Sequence, residues 1–341
     1  MTKKWSSRLT FFAFVVLMVG LGSNDSLRGI FSTIFQEHFS LTTTQLGLIV
    51  TASYIGNLVF LLVGGNLSTR FSKKRVLQVL ILIWMAALAL FAFTSNYTVL
   101  LIGMALALGS STLLNTTMNL ITPLLFATAP GFFVNFLFFT QEIGTSGSQY
   151  ILGSHADGFA FWQHTNLVLL ILGAVAFVLL LFCNVPEEAA APADAPAQKG
   201  GYDWRIIVPY VLVFGFYFIA EHGVMNWMVA YGVDGLGLPQ ASAAKYLSVF
   251  FGGMMIGRLC LSPLVDKLGA LKSLAAFGGV SCVLYLIGSL GGAVTMPVWA
   301  ISGLSFSILY PTLVMSIRLY FPAQQVSGAA GTILSIASLA D

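Results

Sequence analysis

Three carboxyl groups lie within long apolar stretches of this sequence, where an ionised side chain is costly. These are Asp25, Glu142 and Glu221, whereas most other acidic residues lie in short polar segments. An ionisable residue inside a membrane-spanning segment is a functional candidate by default. A carboxyl group that titrates near neutral pH can carry a proton. We therefore interpret all three as candidate proton-coupling residues, although Gly144 and Gly147 also allow a helix-packing role for Glu142.

Cationic side chains accompany these acids. Arg28 lies three residues after Asp25 on the same helix face, so the two are expected to form an ion pair that either opens during function or fixes the helix. Arg28 could instead bind an anionic substrate. His222 adjoins Glu221, but adjacent helical residues point about 100° apart, which favours a partner on another helix. Arg258 lies nearer the end of its apolar run and is interpreted as a snorkelling or gating residue.

Amide and aromatic side chains in the same stretches suit a small polar solute. Amides offer donors together with acceptors, as sugar hydroxyls do, and aromatic rings can cover the apolar face of a sugar. Asn115 and Asn119 share one helix face, as do Tyr217 and Glu221. Each of these side chains could instead serve helix packing. The candidate substrate-binding residues are Asn24, Arg28, Asn115, Asn119, Gln141, Asn226, Trp227 and Tyr310.

The surrounding sequence is too apolar for a soluble domain. Of its 341 residues, 57% are hydrophobic and 8% are charged, against about 25% charged residues in soluble domains. The net charge of +3 is not gathered in one patch, which argues against a nucleic-acid partner. Cys183, Cys260 and Cys282 each lie in apolar runs and are interpreted as core packing residues. No metal or other cofactor is expected, and the partners are a small solute, a proton and the lipid bilayer.

The apolar runs are long enough to cross a bilayer as helices, which takes roughly 20 residues each. Long unbroken runs exclude a transmembrane barrel. The first run is too long for a signal peptide and is expected to remain as helix 1. An eleventh run begins near Ser327 and stops at Asp341. The ten predicted spans are about 9–33, 44–66, 76–94, 98–126, 131–153, 165–184, 206–232, 242–264, 273–291 and 295–320.

Lysine and arginine alternate between the connecting segments in a way that predicts orientation. Positive residues collect in cytoplasmic loops. They occur at the N-terminus, in the turns after the second and eighth spans, in the middle linker and at the end of the tenth span, while the loops on the opposite side contain none. The N-terminus is therefore predicted to be cytoplasmic, in a multi-pass protein of the cell (inner) membrane that acts as a monomer.

One long polar stretch, 185–204, divides the chain. It is rich in alanine and proline and reads as a cytoplasmic linker. We predict an N-terminal six-helix bundle at 1–184 and a C-terminal bundle at 205–341.

The two bundles repeat one feature. Segments 64–75 and 262–269 each place a short basic turn with small residues after the second span of a bundle. This is a parallel internal repeat.

These turns resemble the signature of the major facilitator superfamily, Gly-x-Leu-x-Asp-Arg-x-Gly-Arg/Lys-Arg/Lys. The matching residues are Gly65, Leu67, Arg70, Lys73 and Lys74. Thr69 and Ser72 depart from the family pattern, whereas the second turn keeps Asp266, Lys267 and Gly269. The resemblance implies an all-α membrane fold of two pseudo-symmetric six-helix halves, here ending within helix 11. It also implies that these turns hold one closed state of the transporter by charge pairing with a neighbouring helix. It assigns gating roles to Arg70, Lys73, Lys74, Asp266 and Lys267. The alternative is that the basic turns only set the orientation of the helices in the membrane.

A closer resemblance is to fucose-permease-like sugar/proton symporters. The segment 39–49 is similar to the entry to their helix 2, and 221–231 is similar to their helix 7. Asn115 stands where that group often has Glu, and Asp25 lies one turn before the position, Gly29, that aligns with its key Asp.

The resemblance implies proton-coupled alternating access, with both halves rocking around a site where the buried titratable groups meet. The alternatives are export of drugs or other amphiphiles, given 28 Phe and 11 Met, export of organic anions, and a transporter-like sensor. An enzyme is not expected: Gly144-Thr145-Ser146-Gly147-Ser148 departs from the Gly-x-Ser-x-Gly elbow and lies in a predicted helix.

Overall fold

The chain folds into helices joined by short turns. The computed structural model describes residues 3–126, 130–186, 203–321 and 323–340, and these contain no strand. Eight of the described helices are long and apolar enough to cross a membrane. The prediction of an all-α membrane protein is confirmed. Two compact units are present, Met1–Ala190 (unit 1) and Ala191–Asp341 (unit 2). Most of the predicted linker at 185–204 lies outside the described residues.

Unit 1 contains seven described helices, and every predicted span of this half overlaps one of them. The first span ends earlier than predicted, because the chain bends at Phe31 and a separate short helix follows. Ser32 Oγ donates a hydrogen bond of 2.8 Å to the Gly29 carbonyl, which competes with regular helix hydrogen bonding. The helices are α1 Lys3–Ile30, α2 Ser32–His38, α3 Thr43–Arg70, α4 Lys73–Phe93, α5 Tyr97–Leu125, α6 Pro130–Ile151 and α7 Phe159–Leu181.

Helices α1 and α6 approach each other closely at two glycines. A Cβ atom at Gly22 would collide with the backbone carbonyl of Gln141, and one at Gly144 would collide with the backbone of α1. Ser23 Oγ donates to the Gly144 carbonyl at 3.3 Å, and Thr145 Oγ1 donates to the Gly22 carbonyl at 3.2 Å. This contact, typical of membrane helices, brings the polar end of α1 beside the middle of α6.

Replacing Gly144 with valine should destabilise unit 1. The new side chain cannot fit without separating α1 from α6, and overpacking of this kind costs about 1–3 kcal/mol. The melting temperature of the detergent-purified protein measures the effect. Gly147→Val in the same helix is the matched control, because a Cβ atom there meets nothing within 4 Å. Equal melting temperatures for the two variants would contradict the packing argument.

Helix α7 covers one side of the bundle by packing against both α1 and α4. Trp84 of α4 is completely buried there. A Cβ atom at Gly20 of α1 would lie 2.7 Å from Leu172 of α7 and 3.0 Å from Trp84, and one at Gly173 of α7 would lie 3.1 Å from Trp84. Three helices therefore meet around one tryptophan.

Unit 2 is built from a second set of described helices. Helix α8 continues into a π-helical turn at Tyr231–Gly235. Helix α13 starts four residues before Ser327, where the eleventh span was predicted to begin. The helices are α8 Trp204–Ala230, α9 Gln240–Leu268, α10 Ala270–Leu290, α11 Met296–Phe306, α12 Leu309–Ser316 and α13 Ala323–Ala337.

The helix contacts of unit 2 repeat those of unit 1. Helix α8 packs on α13 as α1 packs on α6, α9 packs on α11 as α3 packs on α5, and α10 packs on α11 as α4 packs on α5. The internal repeat suggested by the two basic turns therefore extends to whole helices.

Near Tyr310 and Pro311, the tenth apolar run is broken between α11 and α12. Pro311 has no backbone N–H to continue the helix, and residues 307 and 308 form a turn. A Cβ atom at Gly257 of α9 would collide with Ser307 Oγ. The next residue of α9, Arg258, is thereby held beside the start of α12.

Candidate solute-binding and proton-coupling site

Asp25 lies on α1, half-buried, facing α5. Ser111 Oγ is 3.3 Å from each of its carboxylate oxygens. Asn24 Nδ2 is 3.5 Å from Oδ1 of the same carboxyl group. Donors of this kind stabilise the ionised carboxylate, yet none of them carries a formal charge. Through Ser111, the Asp25 carboxylate therefore connects α1 to α5.

Three amide side chains form a hydrogen-bonded ladder between α5 and α6. Asn119 Nδ2 donates to Asn115 Oδ1 at 2.6 Å, and Asn115 Nδ2 donates to Gln141 Oε1 at 2.7 Å. The donor direction is the same at both steps. The ladder therefore leaves an acceptor at one end, Asn119 Oδ1, which is buried and accepts no hydrogen bond from the described residues.

Arg28 is almost completely buried, at 5% exposure. Its guanidinium carbon lies 5.7 Å from the centre of the Tyr54 ring of α3, within the range of a cation–π interaction. The predicted ion pair between Asp25 and Arg28 stays a prediction. Glu142 is half-buried on α6 beside Gln141, so one segment of α6 carries both a ladder amide and a candidate proton-coupling acid.

Glu221 lies on α8 beside an aromatic cluster of unit 2. The Tyr217 ring stacks on Phe306 at 4.9 Å and contacts Tyr310 at 5.7 Å. Glu221 and Arg258 both interact electrostatically with the hydroxyl groups of Tyr217 and Tyr310. An acid of α8 and a cation of α9 therefore converge on the same pair of tyrosines.

Arg258 of α9 is close enough to buried Tyr217 and half-buried Tyr310 for its charge to act on both hydroxyl groups. Gly257, the residue before it, permits the close approach of α9 to the turn at Ser307. The interpretation of Arg258 as a snorkelling or gating residue stays a prediction.

The other predicted residues of α8 occupy different surroundings. His222 stacks on Phe218 at 5.8 Å, one turn before it on the same helix. Asn226 is buried and donates to the His222 carbonyl at 2.9 Å. Trp227 is half-buried. Of the predicted site residues in unit 2, the structure brings together Glu221 and Tyr310. The expectation that they share one chamber with the acids of unit 1 stays a prediction.

The family profile described as Major Facilitator Superfamily matches residues 10–340. The chain belongs to this superfamily. It is 24% identical over 333 residues to the L-fucose-proton symporter of Escherichia coli (strain K12), covering 85% of this chain and 75% of that protein. It is 27% identical over 321 residues to a glucose/galactose transporter of Brucella abortus biovar 1 (strain 9-941), covering 86% and 76%. The predicted resemblance to the superfamily and to its fucose-permease-like group is confirmed.

Among solved structures, the fold is similar to that of a D-xylose-proton symporter. The TM-score is 0.75 at 16% identity, over 99% of this chain and 88% of that one. Together with the apolar helices, this establishes a multi-pass membrane protein with the major facilitator fold.

The basic turn that carries the facilitator signature contains a helix cap. Lys74 Nζ donates to the carbonyls of Leu181 at 3.0 Å and Cys183 at 2.7 Å. These carbonyls lie at the C-terminal end of α7, where a cation is favourable. Lys73 is half-buried and Lys267 is exposed. The side chains of Arg70 and Asp266 lie outside the described residues, and the gating roles of all five stay predictions.

Replacing Lys74 with glutamine should lower stability by about 1 kcal/mol, because the end of α7 loses its cation. Thermal unfolding in detergent measures this. Arg75→Gln removes the same charge from the next residue, which is exposed, and should leave the melting temperature unchanged. If Lys74→Gln slowed transport at an unchanged melting temperature, Lys74 would act in gating and not as a cap.

The cysteines follow the sequence interpretation at one position of three. Cys183 is buried, and burial raises the pKa of its thiol. Cys260 and Cys282 are exposed on unit 2, so their interpretation as core residues is wrong. An apolar run cannot distinguish the two cases, because a membrane helix is apolar on its lipid side as well as its protein side.

Proposed function

We propose that this chain is a secondary active transporter that takes up a neutral monosaccharide together with a proton by alternating access. It moves the solute without changing it covalently. It works as a monomer in the cell (inner) membrane, with its N-terminus in the cytoplasm. The carbohydrate substrates named for both curated relatives support the solute class.

The observation that carries this proposal is the amide ladder beside Asp25. Asn119, Asn115 and Gln141 are uncharged and point their donors in one direction. A sugar hydroxyl is both a donor and an acceptor, so in a state of the transport cycle that exposes Asn119 Oδ1 it can donate to this oxygen while accepting from another amide. A buried acceptor that receives no hydrogen bond is costly in an apolar bundle, and a solute hydroxyl would supply the donor.

The proposed coupling residues are the three acids of the apolar helices. Asp25 is the first candidate because it lies at the end of α1 that packs on the ladder-bearing helices. Protonation removes the charge of the Asp25 side chain, so the bound proton can be carried from one side of the membrane to the other while the halves rock around the site. Glu221, which is near Arg258, and Glu142, which is next to Gln141, are the further candidates.

An anionic solute is the second candidate, and Arg28 favours it. A buried guanidinium group is suited to bind a carboxylate through two parallel hydrogen bonds. The Tyr54 ring already stabilises the cation, which is why the neutral sugar is preferred here. Export of lipophilic amphiphiles finds less support, because an amide ladder offers them no partner.

Uptake into proteoliposomes tests the proposal. Radiolabelled fucose, galactose, glucose and xylose are compared with a hexuronate and a lipophilic cation, with and without an inward proton gradient. We expect gradient-dependent uptake of at least one neutral sugar. Hexuronate uptake alone would replace the neutral sugar with the anion, and sugar uptake indifferent to the gradient would refute coupling.

A further inference from the structure

Gln149 of α6 is a buried amide that does not belong to the ladder. Its side chain is 0% exposed, and neither its Nε2 nor its Oε1 has a hydrogen-bond partner among the residues that the structure describes. A glutamine amide can donate two hydrogen bonds and accept two. Leaving such a group unpaired in an apolar bundle costs free energy. Because most buried polar groups in folded proteins are paired, Gln149 calls for a functional explanation.

The position of Gln149 on α6 relates it to the candidate site. Glu142 lies seven residues earlier, which is close to two full helical turns, so the two residues lie on the same face of the helix. Tyr150 and Ile151 are exposed at 53% and 61%, and they mark a different face of α6. Gln149 is therefore on the protein side of α6, in line with a candidate proton-coupling acid.

The contact between α1 and α6 gives the height of Gln149 in the bundle. Ser23 Oγ donates to the Gly144 carbonyl at 3.3 Å. The two helices contain the first and the fifth predicted spans, so they run in the same direction through the membrane. Arg28 lies five residues beyond Ser23, and Gln149 lies five residues beyond Gly144. Both are therefore about 7 Å further along the helix axes, at the same height.

Asp25 lies between two amides along this direction. Gln141, the α6 end of the ladder, is three residues before Gly144. Asp25 is two residues after Ser23. At a rise of about 1.5 Å per residue, Gln141 and Gln149 are about 12 Å apart along α6, with Asp25 at an intermediate height. A solute held beside Asp25 by the ladder would therefore have Gln149 at its other end.

We propose that Gln149 is a further solute-binding residue, which hydrogen bonds a sugar hydroxyl on the side of the ring away from the ladder. This inference rests on the proposed function and adds one contact to it. The amide is buried here, so the contact forms in a state of the transport cycle that opens the site to the solute. A site that hydrogen bonds a hydroxyl rejects analogues that lack it. Gln149 therefore determines which deoxy sugars are excluded.

Monodeoxy sugars test this contact. D-glucose, D-galactose and L-fucose, with monodeoxy derivatives of each, compete with the uptake of the radiolabelled parent sugar by the wild type and by Gln149→Leu. We expect one hydroxyl whose removal weakens competition about tenfold in the wild type and has no effect in Gln149→Leu. Asn115→Ala, measured in the same series, should lose its sensitivity at a different hydroxyl. A change in packing alone would instead weaken all analogues equally.

The melting temperature of the sugar-free protein is a second readout. Gln149→Leu should raise it, because leucine removes an unpaired buried amide. Asn166→Leu is the matched control for the sugar series. Asn166 is also completely buried, and its Oδ1 accepts no hydrogen bond from the described part of the chain, but it lies on α7, which packs on α1 and α4. Asn166→Leu should keep the wild-type preference among the deoxy sugars.

Two results would overturn the inference. One is equal sensitivity of the wild type and Gln149→Leu to every deoxy sugar. The other is a lower melting temperature for Gln149→Leu, which would show that the amide is paired within the bundle. In either case, an altered sugar preference in Asn115→Ala would leave the proposed function standing. If the wild type took up no sugar, the proposed function would fail and this inference with it.

Discussion

Replacing Asp25 with asparagine should abolish sugar accumulation driven by a proton gradient while leaving sugar exchange across the membrane. Asparagine keeps the shape and the hydrogen bond with Ser111 but cannot bind the transported proton. Each pH unit supplies about 1.4 kcal/mol, or tenfold accumulation. With a gradient of about two pH units, up to about 100-fold accumulation is therefore lost. Paired uptake and counterflow assays in proteoliposomes measure both quantities.

Glu37→Gln is the control for Asp25→Asn, because it removes a carboxylate from the exposed end of α2. It should retain both activities. Accumulation by Asp25→Asn at the wild-type level would remove Asp25 from the coupling step. Glu221→Gln and Glu142→Gln, measured in parallel, would then show which acid takes that role.

Replacing Asn115 with alanine should weaken sugar binding by about 10- to 100-fold. Asn115 is the middle of the ladder, so its loss leaves both Asn119 and Gln141 without their partner. A hydrogen bond contributes about 0.5–1.5 kcal/mol net, and stranding a buried polar group costs about 1–3 kcal/mol. A loss of about 1.4–2.8 kcal/mol corresponds to that range of affinity. Isothermal titration or equilibrium binding to the purified protein measures the dissociation constant.

Thr116→Ala is the matched control for Asn115→Ala. Thr116 is the next residue of α5, is exposed, and donates to the Thr112 carbonyl of its own helix. Its loss should leave affinity unchanged. Unaltered binding by Asn115→Ala, at an unaltered melting temperature, would show that the ladder serves packing between α5 and α6 and not the solute.

The glycine contacts fix where Asp25 lies relative to the ladder. Gly22 and Gly144 let α1 and α6 touch, and that contact fixes Asn24 and Asp25 relative to Gln141 and Glu142. Bulk at either glycine would move the ladder as well as destabilise the bundle. Substitutions there are therefore expected to reduce binding in proportion to the shift between helices, without touching the solute.

Composition and periodic charge were sufficient to predict the broad features of this protein. A chain with 57% hydrophobic and 8% charged residues has no water-soluble arrangement, because its surface would remain apolar. Backbone hydrogen bonding inside lipid then restricts the spans to helices. The signature turn at Gly65–Lys74 and the helix 2 and helix 7 segments indicated the superfamily, which the family profile confirmed.

Helical spacing also predicted contacts within one helix. Asn115 and Asn119 were expected on one face, and their amides are hydrogen bonded at 2.6 Å. Spacing could not predict which helix Asn115 reaches next, because every span is apolar enough to pack on any other.

Tertiary packing alone decided the partners between helices. It placed Ser111 at Asp25 and Gln141 at Asn115, and it directed the ammonium group of Lys74 to the carbonyls at the end of α7. The physical reason is that helix formation depends on residues a few positions apart, whereas these pairings depend on where glycines and bulky side chains let two distant helices touch. The sequence by itself determined a helical membrane transporter of the facilitator type, and the packing determined which of its few polar groups face each other.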